Sequence, residues 1–132
     1  MKLIVDSGST KTDWISLDNN GKIIFSTQTR GMNPQVLSSS IISERIINNF
    51  DLYHNRNSVS KIFFYGAGCG VSSSVNRILK VFQTIFKNSE FDIKEDTYAA
   101  VYSTIKLGEK SIVCILGTGS NCSYYDGIDI EQ

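Results

Sequence analysis

Runs of apolar and polar positions divide the chain into short segments. Leu3, Ile4 and Val5 read as a buried strand over residues 2–6 that ends at a carboxylate, Asp6. Trp14, Ile15 and Leu17 resume an apolar strand over 12–18, and a third spans 22–29. Asn19, Asn20 and Gly21 between the last two are a hairpin-turn signal, so the opening is an antiparallel three-stranded meander. Asn33 and Pro34 suit a helix cap and first position, which predicts a helix over 34–50. Val36, Ile42, Ile46, Ile47 and Phe50 form its apolar stripe, while Leu37 and Ile41 fall on the other side. Residues 51–60 are polar and loop-like.

An apolar strand over 61–65 then runs into Gly66, Ala67, Gly68, Cys69 and Gly70. The strongest helical period follows, with Val71, Val75, Ile78, Leu79, Phe82, Ile85 and Phe86 on one face. A short strand over 91–93 leads to Asp96, which opens a helix over 97–107 that stops at Gly108. The order β-β-β-α-β-α-β-α predicts an α/β fold, a mixed sheet with helices on its faces. Ligands of such sheets gather where strand ends and glycine turns converge. The loops at 6–12, at 66–70 and at Asp96 all follow strands on that edge.

The first loop carries candidate chemistry. Gly8 permits a tight turn, and Ser9, Thr10, Lys11 and Thr12 crowd hydroxyl, amide and ammonium donors into it. Such a bend can cradle a phosphate, and Asp6 at its rim can hold a magnesium ion. Taken alone, small hydroxyl-rich turns after strands are usually just hairpin turns, and Lys11 also reads as a solvated turn lysine. It is not a Walker A loop, since Thr10 precedes Lys11 and a strand follows. The design recurs near the end of the sequence. An apolar strand over 111–116 meets Gly117, Thr118, Gly119 and Ser120, and a strand over 122–125 returns. A repeated phosphate-like hairpin suggests two similar domains facing one nucleotide.

Composition narrows the partners. Among 132 residues, thirteen basic and thirteen acidic side chains cancel, which removes an electrostatic case for nucleic acid or anionic membrane. A hydrophobic content of 41% with 20% charged residues fits a soluble globular protein. No apolar run approaches the roughly 20 residues of a membrane span, and the first residues do not form a signal peptide, so the expectation is cytoplasmic. Cys69, Cys114 and Cys122 lack metal-ligand spacing and read as reduced, mostly structural thiols.

With both hairpins in view, the chain resembles the actin-like ATPase superfamily of hexokinases and heat-shock chaperones. Within it, the chain is most similar to the N-acetylglucosamine kinase branch, which includes the benzoyl-CoA-reductase-activating ATPases. The matching pieces are Asp6-Ser-Gly-Ser-Thr-Lys-Thr-Asp-Trp14, Gly31-Met-Asn-Pro34, Gly66-Ala-Gly-Cys69, Asp96-Thr-Tyr-Ala-Ala100 and Gly117-Thr-Gly-Ser-Asn121. The resemblance implies a ribonuclease H-like βββαβαβα lobe over residues 1–108, then the opening hairpin of a second lobe over 109–132. It implies an ATP-dependent sugar kinase acting on N-acetylglucosamine or a similar amino sugar, with Mg2+. Gly8, Ser9, Thr10 and Lys11 would meet the terminal phosphates, opposite Gly117, Thr118, Gly119 and Ser120. Asp6 would organise the metal. Asn33, Gly66, Ala67, Gly68, Ser120 and Asn121 would contact the sugar, and Asp96 would accept the proton of its attacking hydroxyl.

Blander readings stand beside these: Asp96 and Asn33 as helix caps, and the glycines at 66–70 as close-packing positions. An activator ATPase serving a redox partner, or a non-catalytic sugar- or nucleotide-sensing module, are the alternative functions. Relatives of this kind carry a complete second lobe, so these residues alone are expected to be inactive. Ile112, Val113, Ile115 and Leu116 need cover, which predicts a mobile or atypically packed tail and leaves a homodimer open.

Overall fold

The computed structural model describes residues 1–131. Its strands are β1 (Lys2–Ser7), β2 (Lys11–Leu17), β3 (Ile23–Arg30), β4 (Lys61–Gly66), β5 (Glu90–Glu95), β6 (Ser111–Leu116), β7 (Ser120–Tyr125) and β8 (Ile130–Glu131). Its helices are α1 (Ser39–Ile47), α2 (Phe50–Asn55), α3 (Ser72–Ile85) and α4 (Thr97–Thr104). A 3-10 turn, Arg56–Ser58, follows α2.

Five strands form one mixed sheet in the order β3-β2-β1-β4-β5. The meander pairs antiparallel, while β4 and β5 join parallel to β1 and to each other. Parallel neighbours need a crossover, and α1 with α2, then α3, supply the two crossovers. Strand alternation turns Leu3, Val5 and Ser7 to one face of β1, where all are buried. Trp14, Ile62 and Phe64 continue that face, and Ile42, Ile46, Leu52, Ile78, Val81, Phe82 and Ile85 cover it from the helices. Phe82 is the hub. Its ring lies 5.3 Å from Phe64, 5.9 Å from Phe86 and from Phe91, and 6.2 Å from Trp14. On the opposite face α4 sits near the strand ends, with Tyr102 edge-on to Tyr65 at 6.2 Å.

The structure corrects the helix expected over 34–50. Asn33 closes a turn instead: its side chain accepts from the Gln35 N–H at 2.9 Å, and its carbonyl accepts from Leu37 at 3.1 Å. Ser38 is the cap, accepting from the Ile41 N–H at 3.4 Å. Asn49, extended at φ −88°, then caps α2 by accepting from the Leu52 N–H at 3.1 Å. Of the five residues in the expected stripe, Ile42 and Ile46 are buried, whereas Val36 and Phe50 are 76% and 75% exposed. Residues 51–60 are not a loop, because buried Leu52 anchors α2. Helix α4 ends at Thr104, since Ile105 is extended.

The tail forms a second sheet, β6-β7-β8. β8, which the sequence reading lacked, follows a turn in which the Asp126 carboxylate accepts from the N–H groups of Ile128 (2.7 Å) and Asp129 (2.8 Å). Val101 of α4 packs with Val113 and Tyr125 as a small separate cluster. Val113 is thus covered, while Ile112 and Leu116 are 73% and 85% exposed.

Candidate active site

The turn between β1 and β2 is built on backbone contacts. The Gly8 N–H donates to the Lys11 carbonyl at 2.9 Å. From below, the Gly31 N–H donates to the Thr10 carbonyl at 2.8 Å, and the Ala67 N–H to the Ser7 carbonyl at 2.8 Å. Ser7 and Thr12 share a buried hydroxyl–hydroxyl bond of 2.8 Å across the base of the turn. Gly31 packs so closely that a Cβ there would overlap the Ser9 carbonyl. The loop at 31–34 therefore braces the first turn, a structural role for glycine that the sequence reading did not assign.

Side chains alternate away from that buried base. Asp6 faces Asp13 across the hairpin register, and Lys11 pairs with Asp13 at 2.9 Å. These residues, with Gly8, Asp96, Ala99, Ala100, Ser103 and Ile115, line one cleft. It continues into a space of about 520 Å³ lined by Gly8, Ser9, Thr10, Lys11, Ala67, Asp96, Ile115 and the whole run from Gly117 to Asn121. Two glycine turns on different sheets thus face each other, with Asp96 in the wall between them.

Two carboxylates of this cleft, Asp6 and Asp96, are held above the ordinary range. Burial lifts Asp6 above the ordinary carboxylate range; the charge of Asp13 adds to this and Lys11 opposes it. Asp96 is lifted by burial first, then by Glu95 and more weakly by Asp6, against the lowering effect of the Thr97 N–H. Asp13, partly exposed, is lowered, chiefly by its bond to Lys11. Asp96 occupies the cap position of α4, yet its own backbone is helical (φ −58°, ψ −26°) and its side chain makes no capping bond. A regular cap is therefore not formed, although the Thr97 N–H still acts on the carboxylate.

Not every expected residue reaches the cleft. Ala67, Ser120 and Asn121 line it; Asn33, Gly66 and Gly68 do not. Gly68, at φ +81°, instead lies against the Asn33 carboxamide, so closely that a Cβ would overlap it. Asp13 was missed as a site residue. Its signal was present, because a hairpin that pairs Ser7 with Thr12 must also pair Asp6 with Asp13.

No protein-family profile and no curated protein matches the chain. Solved structures do. A Porphyromonas gingivalis protein named as an N-acetylglucosamine kinase superposes with a TM-score of 0.86 at 31% identity, over 99% of this chain and 46% of that one. The chain has a sugar-kinase-like fold. An Arthrobacter polyphosphate/ATP-glucomannokinase superposes with a TM-score of 0.59 at 16% identity, over 96% of this chain and 60% of that one, a likeness of fold alone. The chain spans less than two thirds of the length of either neighbour.

The donor set was also tested against a divalent cation. Among the described residues, no cluster of three or more His, Cys, Asp or Glu side chains forms a metal cage. Magnesium does not require one: it keeps several waters and takes one or two carboxylates plus phosphate oxygens. Asp6, exposed to the cleft, and Asp96, partly buried in its wall, offer the one or two carboxylates that this needs.

Proposed function

We propose that this chain is the first, ribonuclease H-like lobe, about residues 1–108, and the opening sheet of the second lobe of an ATP-dependent sugar kinase. N-acetylglucosamine or a similar amino sugar is its acceptor. The strand order supports the lobe assignment, and the 31%-identical neighbour, named as an N-acetylglucosamine kinase, supports the sugar. One observation carries the reading: both glycine turns and Asp96 line a single cleft.

Phosphoryl transfer asks the protein mainly for positioning and charge stabilisation. Apart from the Gly8 and Gly117 N–H groups, which close their own turns, the N–H groups of the two turns would donate to phosphate oxygens from two sides. Asp6, Asp13 and Asp96 put more negative than positive charge beside that site, which repels a bare triphosphate. Asp6 would hold a magnesium ion accompanying the nucleotide, and the ion would supply neutralisation of phosphate charge. Asp96, in its carboxylate form, orients the sugar hydroxyl and takes its proton as the oxygen attacks the terminal phosphate and ADP leaves. Ala67, Ser120 and Asn121, which line the cleft, are the residues this reading gives to the acceptor.

The portion of the neighbour that this chain does not match is proposed to hold adenine and ribose, so these 132 residues alone are expected to be inactive. The test is ADP release coupled to phosphorylation, with the complete gene product, Mg-ATP and a panel of sugars. Turnover with an amino sugar supports the reading. Absence of turnover with every hexose and amino sugar, in protein shown to be folded, overturns it.

A further inference from the structure

Two of the three cysteines are neither buried nor structural. Cys69 is buried, which pushes its thiol up to about 12 and leaves it inert. Cys114 and Cys122 are exposed and directly opposed across β6 and β7. Their rung is fixed by the turn. The Gly117 N–H donates to the Gly119 carbonyl at 2.9 Å, so that pair is hydrogen-bonded. Alternation along the ladder then makes 116/120 a non-bonded pair, 115/121 a bonded one and 114/122 non-bonded. Non-bonded rungs bring Cα atoms to about 4.5 Å, inside the window of about 4.4–6.8 Å that a disulfide spans. The two sulfurs lie 2.7 Å apart.

The strand pattern also fixes which side they occupy. Val113 and Ile115 turn inward, toward α4 and the cleft, so Cys114 between them faces away, as Cys122 does between Asn121 and Ser123. A small oxidant therefore reaches the thiols without entering the cleft.

We infer that Cys114 and Cys122 are a redox-responsive dithiol, converted by a low-molecular-weight disulfide of the glutathione class into a cross-strand bond at the base of the second glycine turn. One thiol loses its proton to solvent and its sulfur attacks the small disulfide, forming a mixed disulfide and releasing one small thiol. The opposed cysteine, also deprotonated, attacks the protein sulfur of that mixed disulfide and releases the second. Two protein thiols give up two electrons and two protons, and one small disulfide becomes two thiols. Exposed disulfides of this kind are the readily reversed ones. The closed bond restrains the strands on either side of residues 117–120, so the turn exchanges its amide hydrogens more slowly.

The experiment treats the folded chain with oxidised glutathione and reads intact mass, a peptide map and amide exchange. Expected are the loss of two hydrogens with no adduct, a 114–122 cross-link, slower exchange over 117–120, and reversal by dithiothreitol. Cys114→Ser should instead retain one glutathione on Cys122, while Cys69→Ser should behave as the unaltered chain. A stable single adduct on the unaltered chain, disulfide-linked dimers, or no reaction would each overturn the inference. None of these readouts depends on nucleotide binding or turnover, so the proposed kinase activity stands or falls separately.

Discussion

Asp96 separates chemistry from architecture because it occupies a cap position without making a capping bond. Asparagine keeps its shape but cannot accept the hydroxyl proton, so Asp96→Asn in the complete gene product is expected to melt like the parent and lose phosphoryl transfer. The sign of the pH effect follows from its raised titration. Between the ordinary value of about 3.9 and the higher folded value, the folded state binds more protons than the unfolded one. Stability therefore falls as pH rises through that window. Asp96→Asn should flatten this part of the stability–pH curve, which thermal melts in a pH series will show, and the acid limb of the parent's activity should lie above the usual carboxylate range. Lys11 is the complementary case. Its partner Asp13 is accessible and Lys11 itself is 65% exposed, so their pair contributes less than about 1 kcal/mol. Lys11→Met is expected to leave the denaturant midpoint nearly unchanged while weakening Mg-ATP binding in calorimetry; a large stability loss with unchanged binding would reassign the lysine to the fold.

Among the elements, those with strong periodicity were legible in advance and those decided by competing local bonds were not. The meander, α3 and both glycine hairpins follow from alternation, helical period and turn residues. The start of α1 did not, because Asn33 before Pro34 and Ser38 before Ser39 are both plausible caps. What decides is that the Asn33 side chain bonds the Gln35 N–H and closes a local turn, a competition invisible to periodicity. The break at Asn49 likewise depends on a side chain shared between capping α2 and bonding Thr27 of β3, a tertiary contact. Sequence gave the cleft's donors but not its brace. Gly31 is the test: a methyl group there meets the Ser9 carbonyl, so Gly31→Ala is expected to cost more than about 1 kcal/mol. Urea denaturation measures that cost, and weaker nucleotide binding should accompany it as the turn is displaced. An Ala variant as stable as the parent would show that the brace gives way freely.

For the whole molecule, the decisive fact is that the cleft's two walls belong to separate sheets with separate apolar clusters. The first cluster is large and aromatic; the second rests on Val101, Val113 and Tyr125. No strand pairing sets the distance between the turns; the second sheet meets the rest of the chain through α4, whose Val101 packs on Val113 and Tyr125. A triphosphate held from both sides, as proposed, would tie the two sheets together beyond what that small cluster provides. In the complete gene product, calorimetric scans without ligand are expected to resolve a low-temperature transition for the smaller sheet, and Mg-ATP to merge it with the main one. The nucleotide would then be a determinant of cooperativity as well as a substrate.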